Sequence, residues 1–241
     1  MFYPYAKGMK AMDNKSIEAE IASYTGKLFR DNFGKGPSSL FVSVVKPFIT
    51  IHLRDFLAPM ERVLVNQKND LKVQETRDLL MQELLPDIKA TIRTTAQVDI
   101  QNIYYDWSLT NKTGIIIAEM SEEEQNITED YLSYPARDKV HEEIVRFSEK
   151  AQKAPSSLFS LMLNPRTLMI VRKGILVRIE KELIKAGFEE QLKLSKRRLE
   201  KSLLNIDLLE SLLGVQIEDV FADWDFDLDK GYIALILKPE K

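Results

Sequence analysis

The sequence predicts an α+β fold built twice. Two tandem helix-strand-strand-helix-helix-strand-strand units are expected, each an antiparallel sheet with helices packed on one face. Three observations lead there. PSSLF occurs at 37–41 and again at 155–159, a spacing of 118 residues. The only two tryptophans both follow an aspartate, in Asp106-Trp107 and Asp223-Trp224, a spacing of 117, and Gly114 and Gly231 follow at matching distances. Between these landmarks, helical periodicity gives way to short alternating runs in the same order in both halves. Repeats this long are tandem domains rather than solenoid modules.

Each element of the first half has a local reason. Ile17, Ile21, Tyr24, Leu28 and Phe29 recur at helical spacing, Asn14 or Ser16 can cap the start, and Gly34 and Gly36 end the helix. Leu40, Val42 and Val44 alternate, as do Ile49, Ile51 and Leu53, with Lys46-Pro47 between them as a turn. Residues 57–67 read as a helix with Pro59 in its first turn. Residues 73–96 read as a long amphipathic helix that Pro86 should kink or split. Residues 99–109 and 114–120 close the unit as a hairpin. The second half repeats the order: helix 138–152, strands near 157–163 and 167–173, helices 175–186 and 189–212, strands near 216–227 and 231–237. Adjacent strands joined by short turns favour antiparallel pairing. The free face of each sheet then needs cover, from the sister unit or from a second chain. The expected boundaries are an N-terminal extension at 1–13, the first domain at 14–120, an acidic, solvated linker at 121–136 and the second domain at 137–241.

Bulk properties exclude several function classes. The chain has 241 residues, 44% hydrophobic and 29% charged, with net charge −3, so broad electrostatic binding to nucleic acid is not expected. With no cysteine, thiolate catalysis and Cys-based metal sites are absent. His52 and His141 are far apart in sequence, and no cofactor or metal motif is found. No apolar run is long enough to cross a membrane, and the first residues lack the apolar core of a signal peptide. The expected location is cytoplasmic.

Five features are candidate sites. Gly34, Lys35 and Gly36, in DNFGKGP, put two flexible backbone positions beside an ammonium, an arrangement suited to an anion; a plain helix cap explains the same residues. The second half has QKAP at 152–155, without the glycines. Arg54, Arg62 and Arg77 follow, and convergence of Arg54 and Arg77 on the glycine loop would build an oxyanion pocket, against the simpler reading of solvated ion pairs. Arg54 aligns with Arg172 in the second half. DWDFDLDKG (223–231) fails the EF-hand spacing and reads as a strand with acids on its wet face. His52 reads as a surface or interface residue. KLSKRRLEK (193–201), diluted by glutamates, reads as a solvated helix face. The candidate ligand site is therefore Gly34, Lys35, Gly36, Arg54 and Arg77, with no catalytic set.

The helix ending in FGKGP (33–37), the strand pair after it, LRDFLAPMERVL (53–64) and the Val73–Arg77 pattern together resemble the MpsC-like or YbcI-like bacterial domain family over about residues 14–120. The second half resembles it more weakly and departs at GKGP and at LAPME, which aligns with ILVRI (175–179). The resemblance implies a non-enzymatic accessory protein of a sodium-translocating, membrane-potential-generating or inorganic-carbon transport system. It also implies a membrane transporter subunit as partner and a location peripheral to the membrane. Two other readings remain open: a small-anion or nucleotide sensor built on the glycine loop and its arginines, and a dimerisation domain using uncovered sheet faces.

Overall fold

The computed structural model describes residues 14–121 and 129–238; the proposed N-terminal extension and most of the acidic stretch lie outside them. The first unit runs α1 (Asn14–Phe33), β1 (Ser39–Val45), β2 (Phe48–Arg54), α2 (Pro59–Asn66), α3 (Asp70–Ala96), β3 (Ile100–Ser108) and β4 (Thr113–Met120). A 3-10 turn at Glu129–Leu132 leads into the second: α4 (Arg137–Ala151), β5 (Ser157–Asn164), β6 (Thr167–Lys173), α5 (Arg178–Lys185), α6 (Glu189–Leu203), α7 (Ile206–Leu213), β7 (Ile217–Asp225) and β8 (Lys230–Leu237). The two antiparallel sheets have the same strand order, β1-β2-β4-β3 and β5-β6-β8-β7.

Period-two burial explains the layers. On β4, Ile116 and Ala118 pack under α1 and α3 with Ile21, Phe29, Met81 and Ile88. The alternate residues Ile115 and Ile117 point the other way and meet Met169, Val171, Tyr232 and Ala234 of the second sheet. On β8, Ile233, Leu235 and Leu237 face α4 and α7. The order is thus helices, sheet, sheet, helices. The sister unit supplies the cover that each free sheet face needs.

The sheets locate the repeat residue by residue. Ser39, Leu40 and Phe41 pair with Arg54, Leu53 and His52, as Ser157, Leu158 and Phe159 pair with Lys173, Arg172 and Val171. Trp107 sits opposite Gly114 and Trp224 opposite Gly231. A Cβ on Gly114 would lie 2.3 Å from the Trp107 ring, so the indole needs a glycine across from it. The register corrects one alignment. Leu53 pairs with Gly114 and Arg172 pairs with Gly231, so Arg172 occupies the place of Leu53, and Lys173 that of Arg54. A bulge between Met162 and Asn164 supplies the extra residue.

Two helix expectations change. Pro86 does not split α3, which is helical from Asp70 to Ala96, because Leu84, Ile88 and Ile92 are buried along it and offset the one lost hydrogen bond. The expected single helix at 189–212 instead breaks without a proline. Leu204 turns into the core, and the Asn205 side chain accepts a 3.2 Å bond from the Leu208 N–H, starting α7 afresh. The described end of the proposed linker is not fully solvated: Tyr131 and Leu132 pack on the inter-sheet core, and the Tyr134 hydroxyl lies 2.7 Å from Ser160 Oγ.

The repeated aspartates join the units. Asp106 accepts from the Ala222 N–H at 2.7 Å, and Asp223 accepts from the Tyr105 N–H at 2.8 Å, so edge strands β3 and β7 are bridged by side chains. Asp223 is 1% exposed, and Asp225 accepts from Asn102 and Tyr104, so these two acids of DWDFDLDKG lie against the sister unit, whereas Asp227 is exposed. The basic stretch is likewise not a solvated face. Arg197 is buried, donating to Asp78 at 3.0 and 3.1 Å and to the Tyr105 carbonyl at 2.9 Å, while Lys193 pairs with Asp223 and Lys201 with Asp106. Breaking one side of such a buried pair leaves an uncompensated charge. Arg197→Met and Asp78→Leu should each cost about 3 kcal/mol or more, and the double variant less than the sum of the singles. Urea unfolding of all four chains measures this; strict additivity would show that the pair is not coupled.

Candidate functional site

The glycine loop keeps its cap geometry. Gly34 follows the last residue of α1 with φ +72°, the left-handed conformation that suits glycine at a helix end. Gly36 packs against the Gly26 carbonyl, 3.1 Å from where a Cβ would sit. Between them Lys35 reaches across to the end of β2, donating to the Asp55 carbonyl at 3.1 Å with the Asp55 carboxylate at 3.6 Å. The Ser38 N–H bonds the Arg54 carbonyl at 2.9 Å, stapling the loop to the strand that carries Arg54. In the second unit Gln152 replaces Gly34 and turns inward, donating to Glu180 and Glu200. Its φ of −153° lies outside the left-handed region that Gly34 occupies, so the second turn needs no glycine there.

The structure brings Gly34, Lys35, Gly36 and Arg54 into one neighbourhood and sets Arg77 apart. Arg77 is 0% exposed, bonds Glu61 twice at 2.7 Å, donates to the Phe56 carbonyl, and lies 4.7 Å from the centres of the Phe56 and Trp107 rings. Glu61 also accepts from the Ala58 N–H at the start of α2. The same clasp recurs as Glu180, Lys196 and Trp224, with Glu180 accepting from the Val177 N–H. The counterpart of Glu61 is therefore Glu180, and LAPME aligns with 176–180 rather than with 175–179. Arg62 is exposed on α2.

Arg54 points toward the second unit, where Glu218 on β7 accepts from it and, at 2.9 Å, from Arg166. This triad stands at one end of the inter-unit junction. On one side of it opens a cleft of about 750 Å³ between the units, carrying Asp55, Lys112, Lys238 and Asp219. Asp219 accepts from Asn111 at 2.7 Å and Thr113 at 2.9 Å, and burial holds its carboxyl above the usual range. On the other side is an inter-sheet cavity of about 230 Å³, bounded by Phe41, Thr50, His52, Ile115, Arg166 and Ile236, among others. His52 is an interface residue with an Nε2 that has no hydrogen-bond partner. Arg166 and Glu218 carry no motif, and Glu218 meets Arg54 only across the units, so the sequence held no signal for them. Among the described residues, no group of three or more His, Asp or Glu could hold a metal ion.

Burial lowers the His52 pKa from 6.5 to about 4; Glu218 opposes this, and Arg54 and Arg166 reinforce it. A lowered histidine pKa means that the unfolded chain takes up the proton first as pH falls. His52 therefore contributes stability above pH 6.5 that is lost on going down to about pH 4, by at most about 3 kcal/mol. Asp78 and Asp219, raised by burial, act in the opposite sense in acid. The difference between wild type and His52→Phe isolates the histidine: the variant should lose less stability between pH 6.5 and 4, as read by urea unfolding across pH. Parallel curves would mean that His52 titrates normally in the folded chain.

Comparison with known proteins addresses the first unit. Residues 13–122 match the family model described as Na+-translocating membrane potential-generating system (MpsC). The chain is also similar to the uncharacterized protein YbcI of Bacillus subtilis (strain 168), 26% identical over 100 residues, covering 41% of this chain and 79% of that protein. No solved structure matches the chain. The matched segment spans α1 to β4, with the FGKGP cap, the Glu61–Arg77–Trp107 clasp and the Asp106-Trp107 hairpin all inside it. Residues 13–122 are therefore similar to the MpsC family over the whole first unit, and the match does not extend to the second.

Proposed function

We propose that this chain is a non-catalytic accessory component of a sodium-translocating, membrane-potential-generating system, working on the cytoplasmic side and recruited to the membrane by a transporter subunit. The observation that carries this reading is the family match over the first unit. Among the described residues no helix is long and apolar enough to cross a membrane, so attachment through a protein partner fits the chain. We read the second unit, residues 137–241, as a divergent copy of the same domain, joined to the first (14–120) through 121–136. Its equal strand order, the DW…G pairing and the Glu180–Lys196–Trp224 clasp support that reading. The inner sheet faces already cover each other, so a homo-oligomer would have to use another surface.

The second reading is a small-anion or nucleotide sensor. It is favoured by one observation: Arg54 and Asp55 line the inter-unit cleft, and Lys35 is bonded to Asp55. Lys35 is the residue to change, because its bonds are exposed and Gly36 is confined by Gly26. Lys35→Ala should leave the unfolding midpoint within about 0.5 kcal/mol of wild type. Recruitment is tested by fractionating cells expressing the tagged chain at low and high salt. Co-sedimentation with an integral transporter subunit, released by salt, is expected. A chain that stays in the soluble fraction and brings down no membrane protein would overturn the accessory reading. Loss of recruitment in Lys35→Ala would place the contact at the loop.

A further inference from the structure

The inter-sheet cavity beside the Arg54–Glu218–Arg166 triad has the makings of a ligand site of its own. Its walls come from both units: Phe41, Ile115 and His52 from the first sheet, Arg166, Thr167 and Ile236 from the second. Most of this lining is apolar, with hydroxyls from Thr50 and Thr167 at its buried end. His52 is 7% exposed, and its Nε2 meets no partner in the protein, a costly state for a buried ring nitrogen. Its ring is held between Phe41 and Phe221, with centroids 6.4 and 6.1 Å away.

Charge adds a second, independent argument. Arg54 and Arg166, one from each unit, share the single carboxylate of Glu218. Two guanidiniums against one carboxylate leave one positive charge in excess. Lys112, Lys238, Asp55 and Asp219 line the larger cleft on the far side and balance one another in sign. A monoanion entering the cavity would offset the excess, whereas a nucleotide is too large for about 230 Å³ and a phosphate dianion carries more charge than the excess balances.

We propose that this cavity binds a small monocarboxylate, with its carboxylate held by the Arg166 guanidinium and the His52 Nε2–H and its short apolar body against Ile115, Ile236 and Phe41. The neutral imidazole supplies one N–H, and the guanidinium supplies a planar donor pair that matches a carboxylate. Phe41, 47% exposed and beneath Arg166 at 5.8 Å, stands at the mouth and closes over the apolar end. Arg54 bears on this site only through Glu218, which it shares with Arg166, and Lys35 takes no part in it, so this proposal and the sensor reading can fail separately.

The test titrates the full chain at neutral pH and low ionic strength with acetate, propionate, butyrate and benzoate, and with butyramide as the uncharged control. Calorimetry and the NMR signals of the His52 ring provide the readouts. Saturable binding of at least one carboxylate is expected, with the His52 resonances shifting and butyramide weaker by about tenfold or more. Arg166→Gln should weaken binding by about tenfold, and Ile236→Trp, which fills the cavity from the opposite sheet, should abolish it. Should Ile236→Trp not fold, His52→Phe removes the ring nitrogen with little change of volume and gives the same reading. No saturable binding by wild type up to tens of millimolar, or equal binding by a folded cavity-filling variant, would overturn the proposal. Loss of carboxylate binding in Lys35→Ala would move the site to the glycine loop and overturn it equally.

Discussion

The junction of β3 and β7 holds the molecule together. At it the two edge strands face each other without ladder bonds, and Asp106 and Asp223 each accept an N–H from the opposite strand. An open edge would otherwise be a template for association with other chains. The carboxylates bring negative charge into a buried place, and α6 answers with Arg197, Lys193 and Lys201. A buried ion pair taken alone barely repays its desolvation. Here the charges are also hydrogen-bonded to backbone: Arg197 to the Tyr105 carbonyl, Lys201 to the Trp107 carbonyl. With all but the Arg197 Nε of these donors bonded, the network fixes one relative placement of the two units.

The pseudo-symmetry is real in topology and broken in chemistry. The clasp around each tryptophan uses Arg77 in one unit and Lys196 in the other. One position further along each helix, Asp78 and Arg197 have opposite charges and pair with each other. Such a pair cannot form between identical units, so the contact is specific to a chain with two different halves. Deeper in the second unit, Arg172 and Glu200 form a buried pair and Arg172 also reaches Ser148, where the first unit has Leu53 at the register position of Arg172. The second unit thus turns its polar groups inward, Gln152 included, while the first keeps its glycine loop at the surface.

This division bears on where chemistry can happen. Arg54 is the one residue of the predicted anion set that reaches the inter-unit junction, and it does so because β2 ends there. Arg77 lies one helix away, sealed under Phe56 and Trp107. The cleft and the cavity beside Arg54 both take residues from both halves. Whatever binds at either place touches both units.

Periodicity and turn chemistry sufficed for the elements, because helices and strands are dictated by side chains close in sequence. Ile49, Ile51 and Leu53 announced a strand, Gly34 a helix end, and the twin PSSLF and DW…G landmarks a fold built twice. Local signals were less decisive where burial competes with them: α3 runs through Pro86, and Asn205 starts a helix where none was expected to begin. Charge was the least readable property. Arg197, Lys196 and Asp223 look like surface residues in a mixed-charge segment, and they are buried because their partners lie on the other unit or on another helix. The sequence by itself determined the class of fold, the order of the strands along the chain and the plan of two similar tandem units, but not the break between α6 and α7. Only the tertiary structure decided which charges are solvated and which arginines meet, because ion pairing depends on distances that close only when two sheets stack.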